Sequence, residues 1–200
     1  MNIPYNADLF RLINDLGKDN TFLNPLFIFL AEYMIYFLAF ALLVFWFTRT
    51  RQNRLMVGSA VFSFALAELI GKSLGHFYSN YQPFVELSNV SKLIEKDIGN
   101  SFPSDHTMVF FAICFTFFLF NKRFRSLWLF LAIFVAISRM WVGVHYPADV
   151  LTGAAVAIVS SFICYKLIPK SRVVKVLLDF YEKCESAVLP NKQKGKESQL

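Results

Sequence analysis

Five long apolar stretches, at about 25–47, 55–75, 105–121, 126–143 and 148–168, account for most of this 200-residue chain. A helix that crosses the hydrocarbon core of a bilayer needs roughly 20 mainly apolar residues, and each stretch meets that length within a few residues. Lipid offers no partner to backbone N–H and C=O groups, so each stretch must satisfy its own by forming a helix. The expected fold is therefore all-α: an integral membrane bundle of about five transmembrane helices. Composition agrees, at 56% hydrophobic and 18% aromatic, more apolar than a soluble domain of this length requires. The 24 phenylalanines run along whole segments, as from Phe27 to Phe47, and are not confined to interfacial belts.

Outside the spans, Leu9, Phe10, Leu12, Ile13 and Leu16 recur at helical spacing, with Asn6 or Asp8 as N-cap and Gly17 as stop. That piece is too short to cross and is expected to lie in the interface plane. Residues 171–188 are expected to do the same, with Val173, Val174, Leu177, Leu178, Tyr181 and Cys184 on one face. These amphipathic ends and the spans make one membrane domain over 1–189, followed by a flexible tail over 190–200. The start, Met1 to Asp8, lacks the basic residues and apolar core of a cleavable signal, so targeting falls to the first span.

The net charge of +6 does not indicate a nucleic-acid partner, because the basic residues sit in short clusters at the ends of apolar segments. They read instead as topology signals, with the lipid bilayer as partner. Fourteen Lys and Arg fall on one side of the expected bundle, including Arg49, Arg51, Arg54, Lys122, Arg123 and Arg125. The other side holds six: Arg11, Lys18, Lys72, Lys92, Lys96 and Arg139. The excess marks the cytoplasmic side. This places the C-terminus inside and the N-terminus and the loop near 76–104 outside. The cysteines Cys114, Cys164 and Cys184 lack metal-type spacing and suggest neither a disulfide framework nor a zinc site.

Two clusters fall on the outer side. Ser101-Phe102-Pro103-Ser104-Asp105-His106-Thr107 precedes the third span, where a helix start presents unpaired backbone N–H groups that suit an anion. Ser or Asp there is also consistent with simple capping. The imidazole of His106 has no part in a cap and suits proton transfer near neutral pH. The second cluster, Ser138-Arg139 through His145-Tyr146-Pro147-Ala148-Asp149, joins a cation, an imidazole and a carboxylate. Arg139 offers a planar fork of donors for phosphate oxygens. His145 and Asp149 are four apart, so one helical turn sets the carboxylate against the ring, fixing its tautomer and making the other nitrogen the better nucleophile. An interfacial His and a capping Asp would give the same letters. An inward third span and an outward fourth bring both clusters to one face. His145 and His106 then flank one phosphoryl group, one as nucleophile and the other as acid. No cofactor is expected, and no Asp-rich cluster for Mg²⁺ is present in the sequence. Glu32, Glu68, Lys72 and Arg139 are ionisable residues within spans, each costly in hydrocarbon, and are expected to line one polar pocket.

These residues resemble the type-2 phosphatidic acid phosphatase superfamily, with its motifs Lys-x6-Arg-Pro, Pro-Ser-Gly-His and Ser-Arg-x5-His-x3-Asp. The third motif matches at every fixed position. The resemblance implies that Ser104, Ser138 and Arg139 bind phosphate, that His106 is the acid, that His145 is the nucleophile and that Asp149 is its partner. Asp105 stands where many members have Gly. The Pro-Ser-Asp-His form and the run Ala31-Glu32-Tyr33 look like the BcrC-type undecaprenyl-diphosphate phosphatases, associated with bacitracin resistance. In the first motif Lys72 is followed by nine residues and then Gln82-Pro83. Lys72 and Gln82 are the residues that correspond to its Lys and Arg. Alignment on Pro83 sets the family Lys at Gly75, one turn from Lys72, with His76 nearby. The resemblance implies a multi-pass hydrolase of a bacterial plasma membrane that acts on a polyprenyl diphosphate lipid, and the basic-residue count places its site on the outer face. Phosphatidic acid and phosphatidylglycerol phosphate are alternative substrates, and a non-enzymatic lipid-binding or transport protein is the alternative from another class.

Overall fold

The computed structural model of the chain describes residues 5–121 and 123–188. The expected tail over 190–200 lies outside the described residues, as does Lys122. The regular elements described are helices: α1 (Asn6–Asn14), α2 (Leu16–Asp19), α3 (Asn24–Ile28), α4 (Met34–Phe47), α5 (Arg51–Phe77), α6 (Pro83–Glu86), α7 (Asp105–Phe120), α8 (Arg125–Trp141), α9 (Pro147–Leu167) and α10 (Arg172–Val188). A π-helical turn, Phe29–Tyr33, joins α3 to α4, so that Thr21–Phe47 is one rod.

The five expected spans correspond to that rod and to α5, α7, α8 and α9. Three stretches, Thr21–Phe47, Arg51–Phe77 and Pro147–Lys170, are long and apolar enough to cross a bilayer. The other two are shorter, at 16 residues in α7 and 17 in α8. At 1.5 Å per residue they run only about 24 and 26 Å, against a hydrocarbon core of roughly 30 Å. They are therefore at the short limit of spanning length.

Helix α7 is the centre of the bundle, packed on α5, α8 and α9. Its buried residues, from Thr107 and Met108 through Phe110 to Cys114 and on to Thr116 and Phe117, surround the axis, as befits a helix apolar on every side. Close approach by α5 depends on a stripe of small residues, Ala60, Ser63, Ala67 and Gly71. A Cβ on Gly71 would meet the sulfur of Met108 at 2.5 Å.

The two amphipathic ends are more deeply built into the fold than an interfacial reading expects. Phe10 of α1 is fully buried, edge-on to Tyr146 at 5.7 Å. Asn14 is buried as well and donates to the carbonyls of Trp141 (2.9 Å) and Ser91 (3.0 Å), while accepting from the Ser91 N–H (2.9 Å). Leu9, Leu12 and Leu16 stay exposed. Gly17 does not stop a helix; it lies within α2, where a Cβ would come within 3.0 Å of the Trp141 indole.

In α10 the expected single apolar face is divided. Leu178 is buried against the bundle, and Tyr181 accepts a hydrogen bond from the Trp46 indole at 3.1 Å. Val173, Val176, Leu177 and Phe180 remain exposed on the other side. The basic residues at the start of α5, read as topology signals, also hold this helix: Arg51 meets Asp179 (2.5 Å) and Glu182 (3.1 Å), and Arg54 meets Glu185 (2.5 Å) and Glu182 (3.4 Å).

Candidate active site

The N-terminus of α9 lies against the segment that leads into α7. Ser104 donates its N–H to the Asp149 carbonyl (3.2 Å), tying the two helix starts together. The carboxylate of Asp149, 1% exposed, accepts from the Tyr146 N–H (2.9 Å) and from the Ser101 hydroxyl. His145 sits in the short turn between α8 and α9 with its Nδ1 3.0 Å from the Ser101 carbonyl oxygen and 3.6 Å from Asp149 Oδ2. A carbonyl only accepts, so Nδ1 carries the proton and Nε2 keeps its lone pair. The tautomer is thus set by a backbone oxygen. At 3.6 Å the carboxylate acts through its charge and through Ser101, not through the direct hydrogen bond that the i, i+4 spacing suggests. Burial is the main influence on His145 and lowers its pKa below the ordinary histidine value, with Arg139 and Lys96 adding to the effect and Asp149 opposing it.

The turn that carries His145 has its own steric requirement. Gly143 has φ +86°, and a Cβ there would stand 2.6 Å from the Ser91 carbonyl oxygen. Only glycine combines that conformation with that approach.

Arg139, near the end of α8, is 2% exposed. One guanidinium nitrogen donates to the Ala31 carbonyl at 2.8 Å, and Nε has no partner. Ala31 belongs to the π-helical turn of the first span, a local widening often found at functional sites. Together they open onto a cavity of about 370 Å³ lined by Glu32, Tyr33, Lys96, His106 and Arg139 among others. A larger cavity of about 1050 Å³ at the same end is lined by Tyr5, Tyr78, Tyr81, Glu86 and Tyr146. Its single charged lining residue is Glu86, whereas the smaller cavity holds the cations Lys96 and Arg139 beside Glu32 and Glu95, so the smaller cavity is the candidate site.

The remaining expected residues divide into those near this cavity and those held elsewhere. His106 lines it, half-buried in the first turn of α7, within electrostatic reach of Arg139 and His145. Ser104 is fully buried and accepts from the Thr107 hydroxyl at 3.0 Å, which leaves its own hydroxyl hydrogen for another acceptor. Asp105, first residue of α7, is exposed and within electrostatic reach of Arg139. The Ser138 hydroxyl is already used: it donates back to the Val135 carbonyl at 2.6 Å.

Of the four ionisable residues expected to line one pocket, Glu32 and Arg139 do so, whereas Glu68 and Lys72 pair with each other at 3.7 Å and the Lys72 side chain is 78% exposed. Lys72 is one residue beyond the buried Gly71 and so points about 100° away from the packed stripe. Gln82 is buried and bonded at both amide atoms, donating to the Asp97 carbonyl (3.1 Å) and accepting from the Gly99 N–H (3.2 Å). It holds a loop and does not face the cavity. Gly75 leaves no room for the family lysine, since its Cβ would lie 2.9 Å from the Phe102 carbonyl oxygen. His76 is exposed beside Phe77.

Sequence reading missed Ser101, Asn14 and Lys96. Ser101 carries one signal in the sequence, a hydroxyl just before the Pro-Ser-Asp-His run, whereas its place beside the Asp149 carboxylate is visible only in the fold. Asn14 and Lys96 carry none, because their roles arise only from contacts between distant segments.

Comparison with known proteins identifies the family. The chain is 54% identical to "Bacitracin transport permease protein BcrC" of Bacillus licheniformis over 190 residues, covering 95% of this chain and 94% of that protein. It is 29% identical to "Undecaprenyl-diphosphatase BcrC" of Bacillus subtilis, covering 92% and 93%. The crystal structure of Aquifex aeolicus LpxE superposes with a TM-score of 0.71 at 27% identity, covering 82% of this chain and 97% of that one. The PAP2 superfamily model matches residues 57–172, from within α5 to the start of α10 and across both motif clusters, and the chain is an integral membrane protein belonging to the PAP2 superfamily.

Proposed function

We propose that this chain is a membrane lipid phosphatase that hydrolyses undecaprenyl diphosphate to undecaprenyl phosphate and inorganic phosphate. The observation that carries the reading is the fixed tautomer of His145, with Nδ1 donating to the Ser101 carbonyl, next to an arginine that is buried without a carboxylate partner. Nε2 attacks the terminal phosphorus, the bond from phosphorus to the bridging oxygen breaks, and His106 gives that oxygen its proton. This leaves undecaprenyl phosphate and a phosphohistidine. Water then attacks the phosphohistidine, His106 takes the water's proton, and inorganic phosphate leaves. Arg139 and Ser104 bear the charge that builds on the phosphoryl oxygens. A bound phosphate favours the imidazolium that the first step requires.

The substrate follows from the relative named as an undecaprenyl-diphosphatase and from a site at a bundle end, where a lipid head meets the protein while its tail stays between helices. The excess of basic residues at the opposite end supports a plasma-membrane protein with its site on the outer face and a cytoplasmic C-terminus, so that the product re-enters cell-wall synthesis. A tag on the C-terminus should then resist protease in intact cells; ready cleavage would reverse the orientation.

The name of the 54% relative favours a second reading, transport without turnover. Purified protein in EDTA separates the two: hydrolysis predicts phosphate release from undecaprenyl diphosphate by the natural chain and none by His145→Ala. Equal release by both, or none by either, removes the proposed mechanism. A panel including phosphatidic acid and phosphatidylglycerol phosphate establishes which lipid is preferred.

A further inference from the structure

Members of this family place a Lys and an Arg in the first motif, whereas here Gln82 is neutral and Lys72 is turned away. Yet a diphosphate head needs more than one cation. Six basic residues belong to this end of the bundle, and five are already engaged. Arg11 donates to the Ser88 carbonyl (3.0 Å), and Lys18 binds Asp15 and the Asn89 carbonyl (2.6 Å each). Lys72 pairs with Glu68. Lys92 pairs with Glu95 at 3.5 Å and lies over the Phe84 ring. Arg139 is anchored to Ala31 and lines the cavity. The sixth, Lys96, lines the same cavity as Arg139 and His106, and among the described residues its ammonium group makes no ion pair or hydrogen bond.

The loop that carries it is fixed on both sides. Asn14 binds Ser91 in both directions, and Leu93 donates its N–H to the Val142 carbonyl at 3.1 Å. Lys92 Nζ reaches the Lys96 carbonyl at 3.3 Å. Beyond it, Gln82 holds Asp97 and Gly99. The residue at the position of the family arginine thus secures the segment that presents a different cation.

We propose that Lys96 is the second phosphate-binding cation of this site, replacing the missing charge of the first motif, and that with Arg139 it recognises a diphosphate head group. Gln82 is a positioning residue that acts through the loop. The proposal rests on the phosphatase reading for its substrate but is tested separately from it, because cation binding is measurable without turnover.

The experiment compares Lys96→Gln, Lys96→Arg and Lys72→Gln in the full chain, purified in detergent. Titration calorimetry with inorganic pyrophosphate measures binding, and phosphate release from undecaprenyl diphosphate measures turnover. Lys96→Gln should weaken pyrophosphate binding and lower kcat/KM by about 10–100-fold, the effect of losing one charge-assisted contact. Lys96→Arg should restore most of both, and Lys72→Gln should change each by less than about twofold. Unaltered pyrophosphate binding in Lys96→Gln, or a loss in Lys72→Gln that equals or exceeds it, overturns the assignment. Pyrophosphate binding that depends on Lys96 in a protein that releases no phosphate from the lipid would instead sustain Lys96 and remove the phosphatase reading.

Discussion

Each end of the bundle holds one arginine buried to 2% exposure, and the two are satisfied in opposite ways. Arg54 meets Glu182 and Glu185 and lies 4.9 Å from the Tyr181 ring centre. Arg139 has one neutral carbonyl, that of Ala31. Both leave Nε without a partner, so the difference lies in charge. A buried cation with carboxylates beside it is neutralised and serves to fix α10 to the start of α5. Among the described residues Arg139 makes no ion pair: Glu32 and Asp105 lie within electrostatic reach but hold no contact with it, so its guanidinium is left open towards the cavity. The first span supplies the means, since its π-helical turn offers Arg139 a carbonyl that orients the guanidinium without cancelling its charge.

That contrast predicts separable consequences. Arg139→Ala should lower kcat/KM by about 10²–10³-fold, the usual cost of removing a preorganised donor at developing charge, with the fold retained in circular dichroism. Arg54→Ala should do the reverse, lowering the thermal midpoint by several degrees while leaving kcat/KM within about twofold; a catalytic loss matching that of Arg139→Ala would end the distinction. Arg139→Lys should keep part of the binding and still lose about tenfold or more, because a point charge cannot reproduce the fork. Ser101→Ala should cost about tenfold in kcat with KM little changed, since it loosens Asp149 but spares the carbonyl that fixes the His145 tautomer.

The smallest effect concerns pH. Burial favours neutral His145, so its lone pair stays available on acidification, and the acid limb that it contributes to kcat/KM should lie below about pH 6.5. An acid limb above that value would contradict the burial of His145. The same shift works against stability: as pH falls from about 6.5 towards the folded value, the unfolded imidazole takes up its proton first, and folding weakens over that window.

The sequence by itself determined the solvent and the helices, and it marked two polar clusters. Apolar runs near bilayer length can be satisfied only as helices, and Ser138-Arg139 with His145 and Asp149 at fixed spacing marked the cluster from which the site is proposed. Local spacing also misled where contacts outweigh it. His145 and Asp149 do stand one turn apart, but the histidine proton goes to Ser101, 44 residues earlier in the chain. Lys72 matches a motif by letter and still faces away, because a helix turns about 100° per residue and Gly71 and Gly75 occupy the packed face. Only the tertiary structure decided which arginine is neutralised, which serine orients the carboxylate, and which lysine remains unpaired beside Arg139. Those outcomes depend on segments far apart in the chain meeting at one end of the bundle, and no periodicity within a segment encodes what the opposing segment will offer.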